Sequence, residues 1–502
     1  MNTDRIYDIL RRILWWIAVM AVASVCLLNF GFLARISYDA NEAVTIFQSN
    51  FLKNILLAGC VSAFMISIYM AGILDRLNER KLFTVLTAVY CVAAAYLILN
   101  AEPVLRADAK QVLESVLKFR EGDFAPFRKG GYLYRYPHQL GLVFYESQLV
   151  RFSENPQFLF LVNFLMVLGI NRAGWKISDR LFGSTLINCL TILMSFAFLP
   201  QLFFILFAYG VIPGFFFMMW GFHRGICFAD ERKPKDLVLM CLSLGAAVLL
   251  KQNYLIGAVA MVIFLCLKLL KTRDRRLIAG VLAVLFCVTV PGKILCRYYE
   301  QKTGSTLNQG CPSVLWVAMG TDIDNHKRGP GWYNSYVFNT YRDADYDPQA
   351  AAEAGAEKLR ENLELIRSEP SRAWLFLRDK TISQWCDPMY QSVWSGPLED
   401  CGQDTYTAWL QSLYGGEAAE RSISGYMKLL CQVIWVLSSA YILLNRKSET
   451  SWELMYLYMI GGLLFHTVWE GKSQYTYPYL YMLIPFAAAA AGGILKRLTG
   501  RE

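Results

Sequence analysis

The side chains best suited to chemistry gather in one stretch, residues 106–152, reading RADAKQVLESVLKFREGDFAPFRKGGYLYRYPHQLGLVFYESQLVRF. A carboxylate, Asp108, stands near its start and a Tyr-Pro-His-Gln run, Tyr136 to Gln139, near its end. A carboxylate can take a proton, and a histidine such as His138 can move one or hold a metal. Seven basic residues, Arg106 to Arg135, ask for an anion, and phosphate is the simplest. Tyr132, Tyr134 and Tyr136 have faces on which a sugar could stack. Each also has a plain structural use. Asp108 fits a helix start, His138 fits a hydrogen-bonded surface position, and the tyrosines fit a membrane-interface belt. Three other places hold charge between apolar runs: Lys251-Gln252-Asn253, then Glu470 and Lys472 in HTVWEGKSQYTYPYL, and Asp39 with Glu42 in SYDANEA. Charges so close to hydrocarbon are costly and often functional, although Lys251 could snorkel and Glu470 could pair with Lys472.

The elements that must position these groups are membrane spans. The chain has 502 residues, 55% hydrophobic, 14% aromatic and 18% charged, with a net charge of +9. Soluble domains carry about 25% charged residues, so the composition describes a membrane bundle and offers nothing to nucleic acid. A span takes roughly 20 apolar residues. About twelve such segments occur, at 13–33, 53–74, 82–100, 157–172, 182–199, 204–223, 236–250, 254–270, 277–296, 426–444, 453–469 and 476–494. The first is too long for a signal-peptide core and lacks a cleavage site. The run 182–223 is split at Pro200. With the N-terminus inside, the loops 75–81, 172–180, 230–236, 271–276, 445–452 and the tail 496–502 are cytoplasmic, and each carries two to four Lys or Arg. Opposite short loops carry one or none, which orients the chain with both termini cytoplasmic.

Three polar segments then lie outside: 34–52, the stretch around Asp108, and 297–425. Long outer loops escape the charge rule and are usually functional. Val112, Leu113, Val116, Leu117 and Phe119 share a helical face, so an interfacial helix is expected to begin near Asp108. A second is expected from His138 to Phe152. The third segment holds a Gly-Pro-Gly-Trp-Tyr-Asn turn at 329–334, an amphipathic helix at 348–367, and a helix at 374–385 suited to the bilayer surface. Thirteen cysteines are mostly scattered through apolar runs as small hydrophobes. Cys296, Cys311, Cys386 and Cys401 lie in or near the outer segment and are either disulfides or free thiols. No C-x-x-C pair and no dedicated metal cluster occurs, so no cofactor is expected. A carboxylate sharing a divalent cation with a phosphate stays possible.

In order along the chain come an outer Asp after a span, an interfacial helix, G-D-F, G-Y-L-Y-R-Y-P-H-Q-L-G, K-Q-N-Y, G-P-G-W-Y-N and E-G-K-S-Q-Y-T-Y-P. This series resembles the GT-C superfamily of polytopic glycosyltransferases, in its bacterial branch akin to protein mannosyltransferases and the lipid A aminoarabinose transferase. The resemblance covers most of residues 82–494. It implies an all-α membrane fold with interfacial helices and one large outer loop. The domains would be a two-span extension at 1–81, a GT-C-like module at 82–296 with its first catalytic outer loop at 101–156, a loop domain at 297–425, and a three-span segment at 426–502. It further implies a polyprenyl-phosphate sugar donor, a glycan, lipid or protein acceptor, and chemistry at the outer membrane face. Asp108 would be the base of an inverting transfer. Lys251, Arg135 and Lys472 would hold the donor phosphate, with Tyr134, Tyr136, His138, Gln139, Asn253 and Glu470 at the substrates. Two departures stand out. Relatives often pair two acids where this chain has Asp108-Ala109, and they carry Arg where it has Gln474. Asp39 and Glu42 offer a competing acidic site. A transporter of lipid-linked or small substrates would share the span count but would place its charges at the midplane. An oligosaccharide ligase or polymerase would share the outer loop.

Overall fold

The computed structural model describes residues 3–446 and 451–500. Among the described residues, eight helices are long and apolar enough to cross a membrane: Asp4–Gly31, Phe51–Met70, Glu79–Leu99, Pro156–Phe182, Val211–Glu231, Gln252–Thr272, Arg276–Thr303 and Ala418–Leu444. Two bent pairs raise the number to ten: Thr185–Ala197 with Pro200–Leu206, bent by 47°, and Ser473–Met482 with Ile484–Leu498, bent by 42°. The remaining two of the twelve apolar segments form shorter helices, Pro234–Leu250 and Glu453–Val468, of 17 and 16 residues. At 1.5 Å per residue these reach roughly 25 Å, short of a bilayer core of about 30 Å.

Exposed Leu56, Phe64, Val92, Leu282 and Phe286 give the bundle an apolar outer wall, which only a hydrocarbon surround makes favourable. Inside, Ile170, Phe215, Met218, Phe222, Leu244 and Phe264 are wholly buried. The run broken at Pro200 does not resume as a span at 204, as expected from its apolarity. Residues 200–215 are buried, and the next long helix starts only at Val211. The segment 172–180 is not a loop but the last turns of Pro156–Phe182. Its basic residues stand on a helix that continues past the apolar part, so hydropathy placed the end too early.

Charged helix ends meet at one pole. Arg180 pairs with Asp230 at 3.0 Å and Glu231 at 2.6 Å, Arg232 with Asp274 at 3.1 Å, and Arg11 with Glu453 at 2.8 Å. Trp175 Nε1 donates to Glu79 at 2.8 Å. These are the ends expected in the cytoplasm. Parts of the expected basic loops, residues 447–450 and 501–502, lie outside the described residues.

The other pole carries the extramembrane elements. Residues 34–52, expected only as a polar segment, contain most of an antiparallel hairpin, Phe32–Ile36 with Val44–Gln48, pairing Phe32 with Gln48 and Ile36 with Val44. The expected helix at 348–367 is Pro348–Ser368, capped by Asp347, whose carboxylate accepts from the amides of Gln349 and Ala350. It packs on Ser313–Thr321, where Asn362 Nδ2 donates to the Ala318 carbonyl at 2.7 Å. The expected helix at 374–385 begins earlier, as Pro370–Trp385, with Trp374 exposed and Lys380 buried. All thirteen cysteines, including Cys296, Cys311, Cys386 and Cys401, are free thiols.

Candidate active site

Asp108 sits in the first turn of helix Ala107–Arg120. The helix buries Ala109, Val112, Leu113 and Val116 and leaves Asp108 exposed. Its entry is fixed by the preceding extended stretch. Ala101 pairs with Thr405, the Glu102 amide donates to the Asp404 carbonyl, and Gln403 Nε2 donates to the Val104 carbonyl at 2.7 Å. Ala107 then turns through a left-handed φ of 50°, a conformation that costs a non-glycine residue about 1 kcal/mol or more. Among the described residues, Asp108 has no ion pair or hydrogen bond. It lies within electrostatic reach of Lys251, Glu470 and Lys472, and of Tyr132, Tyr209, Tyr333 and Tyr475.

Lys251 ends helix Pro234–Leu250 in an extended conformation. Two close backbone approaches seat it. A Cβ on Gly141 would collide with the Leu249 carbonyl, and one on Gly210 with the Leu250 carbonyl. Glycine at both positions lets the helix Leu140–Leu149 and the 207–211 segment press directly onto the residues before Lys251. Its Nζ lies 4.2 Å from the centre of the Tyr209 ring and 5.3 Å from that of Tyr475. Among the described residues no carboxylate lies within ion-pair distance of it. Burial pulls its pKa down to about 8, with Asp108 and Glu470 opposing and Lys472 reinforcing that shift. Beside it, Asn253 Nδ2 is buried with no hydrogen-bond partner among the described residues.

The loop holding Glu470 and Lys472 is built from two distant motifs. Trp332, of the Gly-Pro-Gly-Trp-Tyr-Asn turn, forms a parallel bridge with Gly471, whose amide donates to the Gly331 carbonyl at 2.8 Å. Trp332 itself is wholly buried and donates to Ser383 Oγ at 2.9 Å. Lys380 donates to the carbonyls of Gly320, Thr467 and Trp469, so one ammonium ties three segments together. Lys472 pairs with Glu42 at 3.1 Å, not with Glu470. Burial pushes its pKa down, but Glu42, Glu470 and Asp108 outweigh that and leave it raised. Glu470, 4% exposed, accepts from the Tyr475 hydroxyl at 3.4 Å. Burial raises its pKa to about 7 even though Lys472 and Lys251 pull it down.

The competing carboxylates are committed elsewhere. Glu42 is fully buried between Arg328 at 2.6 Å, Lys472, and Gln391, whose Nε2 donates at 2.7 Å. Asp39 folds back on its own turn, accepting from Ser37 Oγ and the amides of Asn41 and Glu42. Glu42 therefore holds cations in place, and Asp39 shapes the hairpin turn.

The remaining expected residues divide. Gln139 Nε2 donates to the Tyr209 hydroxyl and lies 3.3 Å from His138 Nε2. The surrounding protein and the nearby Lys251 lower the His138 pKa, although the residue is exposed to solvent. Tyr136 packs edge-on against His138 and lies within reach of Asp108. Arg135 stands one layer out, its guanidinium 5.3 Å from the Tyr136 ring centre and 4.9 Å from that of Phe338. Tyr134 packs edge-on against Tyr346 instead.

Sequence reading missed one segment altogether, residues 386–397, CDPMYQSVWSGP. Tyr390 and Gln391 are both left-handed, at φ 50° and 58°, as is Glu42 at 56°. Gln391 links Glu42 to the Gln474 amide, which donates to it at 3.2 Å. Trp394 carries Arg106 at 4.0 Å from its ring centre and Lys472 at 5.9 Å. Arg106, counted only among the basic residues, has a buried Nη2 with no hydrogen-bond partner among the described residues. The pre-proline Asp387 and a polar run inside a buried stretch were the available signals.

The arrangement sets an unengaged carboxylate within electrostatic reach of a cation that has no counter-ion among the described residues, in a setting rich in tyrosine. Among the described residues no group of three or more His, Cys, Asp or Glu could hold a metal. No protein-family model matches the chain, and no curated protein matches it by sequence. Among solved structures, the crystal structure of ArnT from Cupriavidus metallidurans in the apo state matches with 15% identity and a TM-score of 0.36, covering 83% of this chain and 78% of that chain. A likeness at that level gives no residue of this chain a role.

Proposed function

We propose that the chain is a GT-C-like membrane glycosyltransferase. It moves a monosaccharide from a polyprenyl-phosphate donor to an acceptor hydroxyl at the outer membrane face. The observation that carries this reading is Asp108, exposed and unengaged, within electrostatic reach of Lys251, which has no anionic partner among the described residues. An acceptor hydroxyl attacks an anomeric carbon only as a base removes its proton, and a placed carboxylate contributes about 10²–10⁴-fold. Asp108 is that base, and attack from the face opposite the phosphate inverts the anomeric centre. The leaving phosphate gains charge and needs cations aimed at it. Lys251 supplies one, and Lys472, held by Glu42, supplies a second. Arg135 rests on the rings of Tyr136 and Phe338 and is given no part in holding the phosphate. The tyrosines around Asp108 offer faces and hydroxyls to the sugars. Placing this pole outside the membrane follows from the basic residues at the other pole. Membranes containing the chain should transfer sugar from a polyprenyl-phosphate monosaccharide to endogenous lipid or glycan. Transfer only from an oligosaccharide diphosphate would replace this reading with ligation.

A further inference from the structure

Three cations surround Glu470, and each is engaged with something else. Lys472, on the same loop, pairs with Glu42 of the hairpin turn. Lys380, from helix Pro370–Trp385, is held by three carbonyls. Lys251, from the end of helix Pro234–Leu250, lies on the rings of Tyr209 and Tyr475. Two more carboxylates, Glu42 and Asp108 of helix Ala107–Arg120, add their charge. Tyr333 also faces the group. Glu470 is thus a buried carboxyl with one neutral hydrogen bond, from Tyr475, and no ion pair among the described residues.

A carboxylate in such a place favours its proton, because burial disfavours the charged form and neighbouring anions repel it. A donor phosphodiester settling on Lys251 and Lys472 would bring one more negative charge to the same spot. An ionised Glu470 would repel it, whereas a protonated one has an O–H to give. We propose that Glu470 engages the donor phosphate as a neutral carboxylic acid, donating a hydrogen bond to a non-bridging oxygen, so that donor binding takes up a proton. This rests on the phosphate reading above. An O–H···O⁻ bond of this kind is short and strong. The ordinary-looking acid of the Glu-Gly-Lys loop then acts as a ligand for an anion, and donor affinity depends on pH around neutrality.

The test uses the full chain in lipid nanodiscs and farnesyl methyl phosphate, a diester whose single charge does not change between pH 5 and 9. Affinity and proton uptake are measured together by calorimetry in buffers of different ionisation enthalpy. For wild type, affinity should fall above about pH 7, approaching tenfold per pH unit, with more than about half a proton taken up at pH 7.5. Glu470→Gln should bind at pH 7.5 as tightly as wild type does at pH 6, and should lose affinity only above about pH 8, where Lys251 discharges. Lys251→Met should bind more weakly but keep the slope between pH 6.5 and 8. Wild type and E470Q sharing one pH slope below pH 8 would overturn the proposal while leaving the phosphate site standing. If E470Q fails to fold, K251M decides alone, and a diester bound without proton uptake refutes the role of Glu470. No binding of the diester by wild type at any pH would remove the phosphate reading, and this proposal with it.

Discussion

Replacing Lys251 by Met removes a cation that Asp108 reaches electrostatically and that has no ion-pair partner among the described residues. Its ammonium lies 4.2 Å from the Tyr209 ring centre, held there by backbone packing at Gly141 and Gly210. A hydrogen bond to a charged group contributes about 1.5–3 kcal/mol, and loss of one preorganised donor to a developing anion costs roughly 10²–10³ in turnover. Lys251→Met should therefore lower kcat by about 100-fold, with a smaller effect on KM because the charge on the phosphate grows during the reaction. The pH profile provides an internal check. The pKa of Lys251 is pulled down to about 8, so its charge, and with it the activity, is present below that value and lost above it. At pH 9 only about a tenth of the charge remains. Lys251→Arg keeps its charge there, so of the alkaline loss only the part set by Glu470 should remain through pH 9. The assay is initial-rate sugar transfer in detergent or nanodiscs from pH 6 to 9. K251M retaining more than about a third of wild-type kcat, or K251R falling on the same alkaline limb as wild type, would refute the role given to Lys251.

The packing that seats this lysine makes its own prediction. Gly141→Ala and Gly210→Ala each put a methyl into a carbonyl next to Lys251, so each should cost about 1–3 kcal/mol of stability and reduce turnover more than Phe64→Ala on the lipid wall. Lys380→Met strands three carbonyls at roughly 1–3 kcal/mol for each acceptor left unpaired. It should lower the Tm in nanodiscs and loosen the Glu470 loop, seen as faster hydrogen exchange at Gly471, whose amide is otherwise bonded to Gly331.

Much of the fold was legible because its signals are local. Every one of the twelve apolar segments coincides at least in part with a helix, Pro200 marks the break in the longest run, and Asp108 stands where the interfacial helix begins. The Gly-Pro-Gly-Trp-Tyr-Asn and Glu-Gly-Lys motifs were each visible, but their meeting at the Trp332–Gly471 bridge was not, because 138 residues separate them and no local pattern encodes the pairing. The hairpin at 32–48 escaped for a similar reason. Its five-residue strands mix apolar and polar residues without clean alternation. The engagement of Glu42, an alternative acid in the sequence, was invisible there because its partners, Arg328, Lys472 and Gln391, come from three remote segments. A carboxylate is recognisable in sequence, but whether it is committed depends on tertiary contacts. The loop expected at 172–180 failed on hydropathy alone, since basic residues end a hydrophobic window without ending a helix.

The central claim is that Asp108 removes a proton from an acceptor during sugar transfer. The most direct measurement compares wild type with Asp108→Asn, which keeps the shape of the side chain and removes its basicity. Both would be inserted in membranes and supplied with a polyprenyl-phosphate monosaccharide on which wild type is active. Transfer should fall by about 10²-fold or more, while binding of the donor and the Tm stay near wild type, because Asp108 is exposed and holds nothing in place. Transfer by Asp108→Asn at a rate close to wild type would contradict the account.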